Sequence, residues 1–100
     1  FVNKNPFKLG EVTEFIADLP DNAANVTLRI FDLSGDLVRV IVDEESLSDK
    51  KNQSNINIGS WDGMNDYGNY VGSGIYVYQV RITFTDGSSY VQIKPIGVVK

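Results

Sequence analysis

The apolar residues of this chain alternate with polar ones at a period of two, and this limits the fold more than any other feature. Strands that bury one face alternate in this way, whereas an amphipathic helix repeats every three to four residues. The best helical candidate, residues 43–47, is too short and polar to be more than a turn. The alternation and the single tryptophan predict a core of Phe15, Ala17, Leu19, Val26, Leu28, Ile30, Trp61, Tyr76, Tyr78, Val80, Ile82 and Phe84.

Turn-forming residues separate the predicted strands. Pro20 ends one strand because proline cannot donate to a β-ladder, and Gly35 supplies a positive φ for a tight hairpin. Asp86-Gly87 is the signal of a two-residue hairpin. Six or seven strands result, spaced roughly eight to twelve residues apart, which is typical of an all-β sandwich.

Two segments are expected to interrupt the strands. Residues 43–55 are rich in charge, serine and asparagine, so the sequence predicts a solvated loop there. Pro95 is expected to interrupt the strand that closes the chain. No segment reads as a crossover helix, so a parallel sheet built from βαβ units is excluded.

Composition excludes several classes of function. The chain has 100 residues, the size of a single domain spanning 1–100, and it contains no cysteine and no histidine. Catalysis by Ser-His-Asp or Cys-His groups and the usual zinc sites are therefore excluded. The net charge of -4 argues against nucleic acid as a partner. No apolar segment is long enough for a membrane span.

The segment from Trp61 to Tyr76 is the most distinctive part of the sequence. The only tryptophan stands directly before a run of turn formers, where it can bury a large area and fix one end of a sandwich. Glycines in this run allow the backbone to reverse and enter the next strand. The structural motif consists of Trp61, Asp62, Gly63, Gly68, Gly74 and Tyr76.

Four segments of the chain resemble a known family. They are Asn5-Pro6-Phe7, residues 13–20 with 26–32, Ser34-Gly35 with Leu37-Val38-Arg39, and Trp61-Asp62-Gly63 through Ser73-Gly74-Ile75-Tyr76-Val77-Tyr78. Together they resemble the FlgD-like domain, named for the flagellar hook-capping protein. They are also similar to the C-terminal sorting domains of type IX secretion cargo. The resemblance implies an immunoglobulin-like antiparallel β-sandwich of about seven strands.

The resemblance also implies a role. Such domains are non-catalytic modules at the ends of exported bacterial proteins. We therefore expect a C-terminal accessory module, secreted or at the cell surface, that acts in structural docking, surface retention or secretion sorting. Its expected partners are upstream domains of the same polypeptide and a component of the secretion machinery or cell surface. Because the sequence begins with Phe1, we expect it to be part of a longer polypeptide.

Three alternative functions can be read from the residues. Asp62, Asn65 and Asp66, with Asn69, offer oxygen ligands for calcium in one loop, although an Asx-rich turn explains the same residues. Carbohydrate binding would use exposed aromatic rings, for which the candidates are Tyr67, Tyr70 and Tyr90. The carboxylates of residues 43–45 are more consistent with a solvated charge cluster than with acid/base catalysis. No cofactor is expected.

Overall fold

The computed structural model describes all 100 residues, Phe1–Lys100, and confirms the all-β sandwich. Its seven strands are β1 (Phe7–Lys8), β2 (Thr13–Leu19), β3 (Ala23–Phe31), β4 (Leu37–Ser46), β5 (Gln53–Trp61), β6 (Gly74–Phe84) and β7 (Ser89–Val99). They form a five-stranded sheet in the order β1-β7-β6-β3-β4 and a two-stranded sheet of β2 and β5. All pairs are antiparallel except β1 with β7, which pair in parallel over two residues. No helix is long and apolar enough to span a membrane.

The N-terminal segment contacts both sheets in turn. The backbone of Phe1 exchanges two hydrogen bonds with Ile16, at 2.9 and 2.7 Å, and Asn3 N donates to Glu14 O at 3.0 Å. Residues 1–3 therefore pair with the outer edge of β2. The chain then crosses to the larger sheet, where Phe7 pairs with Val98 of β7. This segment thus links the two sheets along one side of the sandwich.

The predicted core residues lie between the sheets. Leu28 and Ile30 are fully buried, and most of the predicted set is buried with them. Ala17, Tyr76 and Phe84 are partly buried and pack against the core. The alternation did not identify six further core residues, which are Phe7, Ala23, Leu47, Ile58, Ile96 and Val98.

The prediction of a loop over residues 43–55 is wrong. β4 continues to Ser46 and β5 begins at Gln53, so only residues 47–52 connect them. The reason is a break in the β3–β4 register between Val26 and Leu28, where Glu44 has a φ of 49°. A bulge of this kind removes the alternation by which a strand is recognised, and residues 43–46 are all exposed. Leu47 then returns to the core, with 1% of its surface exposed.

Two smaller predictions also need correction. The hairpin at Asp86-Gly87 has three turn residues rather than two, because Phe84 N donates to Ser88 O and Gly87 N to Phe84 O. The extra residue is accommodated by Gly87 at a φ of 88°. Pro95 does not interrupt β7, which runs unbroken opposite β6 with Pro95 paired to Val77. Its ring nitrogen faces the outer edge of the sheet, where no ladder hydrogen bond is required.

Candidate functional site

Trp61 lies at the junction of the two sheets, at the end of β5. Only 1% of its surface is exposed, and its indole Nε1 donates a hydrogen bond to Met64 O at 2.9 Å. Its ring meets Phe7 of β1 at 5.4 Å and Tyr76 of β6 at 5.8 Å, both edge to face. One side chain thereby joins a strand of the smaller sheet to two strands of the larger one.

The turn after Trp61 is held close to the core. Gly63 adopts a φ of 83°, and a Cβ at this position would lie 2.8 Å from Leu9 Cδ2. Asp62 Oδ1 accepts hydrogen bonds from Met64 N at 3.0 Å and from Arg39 Nη1 at 3.1 Å. The turn is thus held by a glycine at a positive φ, packed against Leu9, and by an ion pair with β4.

The other polar residues of this turn bind backbone N–H groups. Asn65 Oδ1 accepts from Tyr67 N at 2.9 Å and from Asn69 N at 3.1 Å. The Asp66 carboxylate accepts from Val40 N at 3.3 Å. These contacts engage side-chain oxygens of the calcium candidates Asp62, Asn65 and Asp66. Arg39 also brings a positive charge to Asp62. The geometry is that of an Asx-rich turn bound to the edge of β4.

Gly68, Gly74 and Tyr76 complete the connection into β6. Gly68 has a φ of 82° in the turn, and Gly74 has a φ of 154° at the start of the strand. The Tyr76 hydroxyl donates to Gly72 O at 2.7 Å. Burial raises the pKa of Tyr76, and the Asp32 carboxylate adds to this effect. The residues of the predicted motif therefore act together in shaping one connection between the sheets.

The three candidate ligand-facing tyrosines are all exposed, but they lie in two places. Tyr67 is 89% exposed at the tip of the turn, and Tyr70 is 52% exposed beside it, bridged to Met64. Tyr76 marks the end of β6 that is next to this turn, because its hydroxyl donates to Gly72 O. Tyr90 pairs with Ile82, which lies six residues further along β6 than Tyr76. At the rise of an antiparallel strand this separation is about 20 Å. The structure brings Tyr67 and Tyr70 together and places Tyr90 apart from them.

Two carboxyl groups have pKa values that depart from the ordinary ones, and both pKa values are lowered. Hydrogen bonding to the Lys8 backbone, reinforced by the Lys4 charge, lowers the pKa of Glu11. Hydrogen bonds from Ser88 lower the pKa of Asp86. A general acid at neutral pH needs a carboxyl pKa that is raised, so neither group is suited to that role.

The outer face of the five-stranded sheet carries an apolar row that the sequence did not reveal. Pro95, Val77, Phe31 and Leu37 are paired across β7, β6, β3 and β4, so their side chains lie on one face. Leu37 is 50% exposed, and Pro95 is exposed as well. Further exposed residues extend the row, and these are Leu33 at 72%, Ile75 at 53% and Ile93 at 62%. We call this surface the apolar row.

The opposite half of the same face is polar. Arg29 pairs with Asp43 at 3.9 Å, and Thr27 Oγ1 accepts a hydrogen bond from Glu44 N at 3.0 Å. These groups line a shallow depression together with Gln79 and Arg81. The outer face is therefore divided, with apolar residues toward the Leu33 turn and charged residues toward the bulge in β4.

The architecture and the Trp61 connection define an immunoglobulin-like β-sandwich domain. The family model of the FlgD Ig-like domain matches residues 3–88. The chain belongs to this family, and the domain itself is of a non-catalytic kind. No curated protein matches the chain.

Two solved structures are similar to the chain. One is the crystal structure of dimeric latent PorU from Porphyromonas gingivalis, with a TM-score of 0.75 and 26% sequence identity. The match covers 99% of this chain and 9% of that chain. The other is FlgD from P. aeruginosa, with a TM-score of 0.57 and 21% identity, covering 93% of this chain and 65% of that chain. The chain therefore spans less than two thirds of either protein.

Proposed function

We propose that this domain is a non-catalytic accessory module of an exported bacterial protein, and that it works by docking rather than by chemistry. In this role it retains the protein at the cell surface or presents it to the secretion machinery. In this proposal the module works without a metal or cofactor, and the polar groups of its most distinctive turn bind that turn and the edge of β4.

The observation that carries this proposal is the apolar row. The outer face of a sandwich sheet ordinarily alternates to polar residues, since it meets water. Here four strands contribute an apolar residue to one continuous line, and Leu33 and Leu37 are at least half exposed. Contiguous apolar surface on a small domain marks a site of interaction. The charged half beside it contains Arg29 and Arg81. Charges next to an apolar contact can fix the orientation in which a partner binds.

The comparisons support the accessory role in two ways. The family is that of a domain rather than of a whole protein. The match to PorU takes in nearly all of this chain but a small part of that one, so the same fold occurs there within a much longer polypeptide. We infer that the present domain is likewise carried by a longer chain. Its resemblance to type IX sorting domains makes recognition during secretion the specific form of docking that we propose.

The test is an export assay with the domain fused to the C-terminus of a reporter in a type IX-competent host. We expect the fusion to reach the surface or medium. A double variant, Leu33→Lys with Leu37→Lys, should lower the exported fraction about tenfold, equivalent to ~1.4 kcal/mol of lost binding. The matched control is Val12→Lys, which changes a residue of similar exposure, 47%, outside the row.

Exposed substitutions of this kind change stability by about 0.5 kcal/mol or less, so the variants should remain folded. Far-UV circular dichroism checks this directly. Retention of the wild-type fusion inside the cell would overturn the sorting role. Equal export of the double variant and the Val12→Lys control would show that the apolar row is not the docking surface.

A second candidate function is carbohydrate binding, which the exposure of Tyr67 favours. A tyrosine that is 89% exposed at the tip of an ordered turn, with Tyr70 beside it, offers two rings for stacking on a sugar. We expect affinity electrophoresis in polysaccharide gels to show retardation that is lost in the Tyr67→Ala, Tyr70→Ala double variant. Tyr90→Ala is the control, because Tyr90 lies elsewhere on the molecule. Mobility unaffected by any polysaccharide would dismiss this function.

A further inference from the structure

The edge of β7 is open over most of its length. β1 covers this edge only at Val98 and Val99. Asn5 covers the next positions, since its side chain donates to Pro95 O at 3.1 Å and accepts from Gly97 N at 2.9 Å. Between Ser89 and Lys94 no strand lies outside β7. We call residues 90–94 the open edge.

The direction of the backbone groups in the open edge follows from these contacts. Pro95 O and Gly97 N point away from β6, toward Asn5. Backbone groups two residues apart along a strand point to the same side, and the β6–β7 register is unbroken from Gly74 to Thr83. The N–H and C=O groups of Val91 and Ile93 therefore point outward as well, as unpaired donors and acceptors of a sheet edge.

The side chains of the open edge are unusual for such a position. Natural proteins protect sheet edges with charges, prolines or a covering segment. The β2 edge is covered by residues 1–3, and β4 is bound by Asp66, which contacts both Val38 O and Val40 N. The open edge instead exposes Tyr90 at 52%, Val91 at 39% and Ile93 at 62%. These are aromatic and β-branched residues, which are typical of strands that pair with a neighbour on both sides.

We propose that the open edge pairs with the same edge of a second copy of this chain, antiparallel and two-fold symmetric about Gln92. The sequence is self-complementary in this register. Val91 stands opposite Ile93 of the second copy, both on the outer face, where β-branched side chains pack across strands. Tyr90 stands opposite Lys94 of the second copy on the other face, where a cation can lie over the ring. The proposal is independent of the accessory role.

A mostly apolar groove lies beside the open edge. A groove of about 370 Å³ opens between the sheets beside β7, and its lining includes Asp18, Tyr90 and Gln92 among mostly apolar residues. In the paired arrangement, Lys94 of the second copy stands beside Tyr90 at the mouth of this groove. The second copy thus places the aliphatic part of its lysine side chain beside the apolar lining of the groove.

The pairing closes on two copies. Pro95 has no N–H to continue the ladder, and its carbonyl oxygen is already bound by Asn5. Two-fold pairing of one edge uses that edge in both copies, so no further copy can be added. A contact of five residues per strand is smaller than the standard interface of about 1,600 Å². We therefore expect a reversible dimer with a dissociation constant on the order of 10–100 μM.

Sedimentation equilibrium over a range of concentrations tests the proposal. The wild-type chain should pass from its monomer mass of 11.1 kDa to twice that value as concentration rises. Ile93→Lys should raise the dissociation constant about tenfold or more, because the two-fold symmetry places one lysine from each copy in the interface. Ile75→Lys is the matched control, because Ile75 is an equally β-branched residue of the same face, 53% exposed, on the interior strand β6. It should leave the dissociation constant unchanged.

The register is tested by cross-linking. The chain has no cysteine, so a single Gln92→Cys introduces one thiol at the symmetry axis. Directly opposite residues of a non-hydrogen-bonded pair have Cβ atoms about 4.5–5.5 Å apart, close enough for a disulfide to form with a small shift. Ser89→Cys is the control, since the two thiols would be about 20 Å apart in this register. Mild oxidation should link the first variant and leave the second unlinked.

Each other outcome overturns the proposal. A chain that remains monomeric through the millimolar range has no such pairing. A dimer that Ile75→Lys weakens as much as Ile93→Lys does is formed by the outer face rather than by the edge. Linking of Ser89→Cys, or no linking of Gln92→Cys in a sample shown to be dimeric, excludes the register centred on Gln92.

Discussion

Trp61→Ala is expected to lower the free energy of unfolding by about 3–5 kcal/mol, as truncation of a large core side chain does. The substitution removes a ring of which 1% is exposed, together with its edge-to-face contacts to Phe7 and Tyr76. Neither neighbour can move into the space, because Phe7 is fixed by the parallel pairing of β1 and Tyr76 by its hydrogen bond to Gly72 O. The free energy of unfolding of native proteins is about 5–15 kcal/mol, so this substitution would remove a large part of it.

The control is Trp61→Phe, which keeps an aromatic ring but loses the hydrogen bond from Nε1 to Met64 O. We expect a smaller loss of about 1–2 kcal/mol, from one hydrogen bond and a partial cavity. Urea unfolding followed by far-UV circular dichroism measures both variants. Fluorescence cannot serve, because Trp61 is the only tryptophan. A loss under about 1 kcal/mol for Trp61→Ala would mean that the ring is exposed in solution and not packed against Phe7 and Tyr76.

The fold could be predicted because its signals are local. Alternation in β2, β3 and β6 identified the buried faces, including Leu28 and Ile30, and each of these positions is settled by residues two apart in the sequence. The burial of Phe7 could not be predicted in this way, because its strand has only two residues, too few to show an alternation. The strand over residues 43–46 could not be predicted because a bulge at Glu44 breaks the period of two where the charges cluster. Exposed strands also resemble loops in composition.

The features that bear on function depend on contacts between distant residues. The apolar row exists because Phe31, Val77 and Pro95 share a register across three strands, which no single segment reveals. From the sequence, Asp66 is a possible calcium ligand, and only the fold shows that its carboxylate accepts a hydrogen bond from Val40 N, 26 positions earlier in the sequence. The open edge likewise follows from strand order. Pro95 is expected from the sequence to break β7, whereas the structure keeps it within the strand, paired to Val77.

Gly63→Ala is the second large effect that we expect. Gly63 has a φ of 83°, where an L-residue costs about 1–2 kcal/mol. The added Cβ would also lie 2.8 Å from Leu9 Cδ2, and overpacking of this kind costs about 1–3 kcal/mol. The two costs together give a loss of about 2–5 kcal/mol in the free energy of unfolding, measured by urea denaturation.

Gly68→Ala separates the two costs. Gly68 has nearly the same φ, 82°, but nothing lies within 4 Å of its Cβ position. Its substitution should therefore cost only the backbone term, about 1–2 kcal/mol. The steric term should disappear when Leu9 is shortened, so in a Leu9→Ala background Gly63→Ala should cost no more than Gly68→Ala does. Equal losses for the two single variants would show that Leu9 moves aside freely. The turn after Trp61 would then be held by its hydrogen bonds alone rather than by contact with the N-terminal segment.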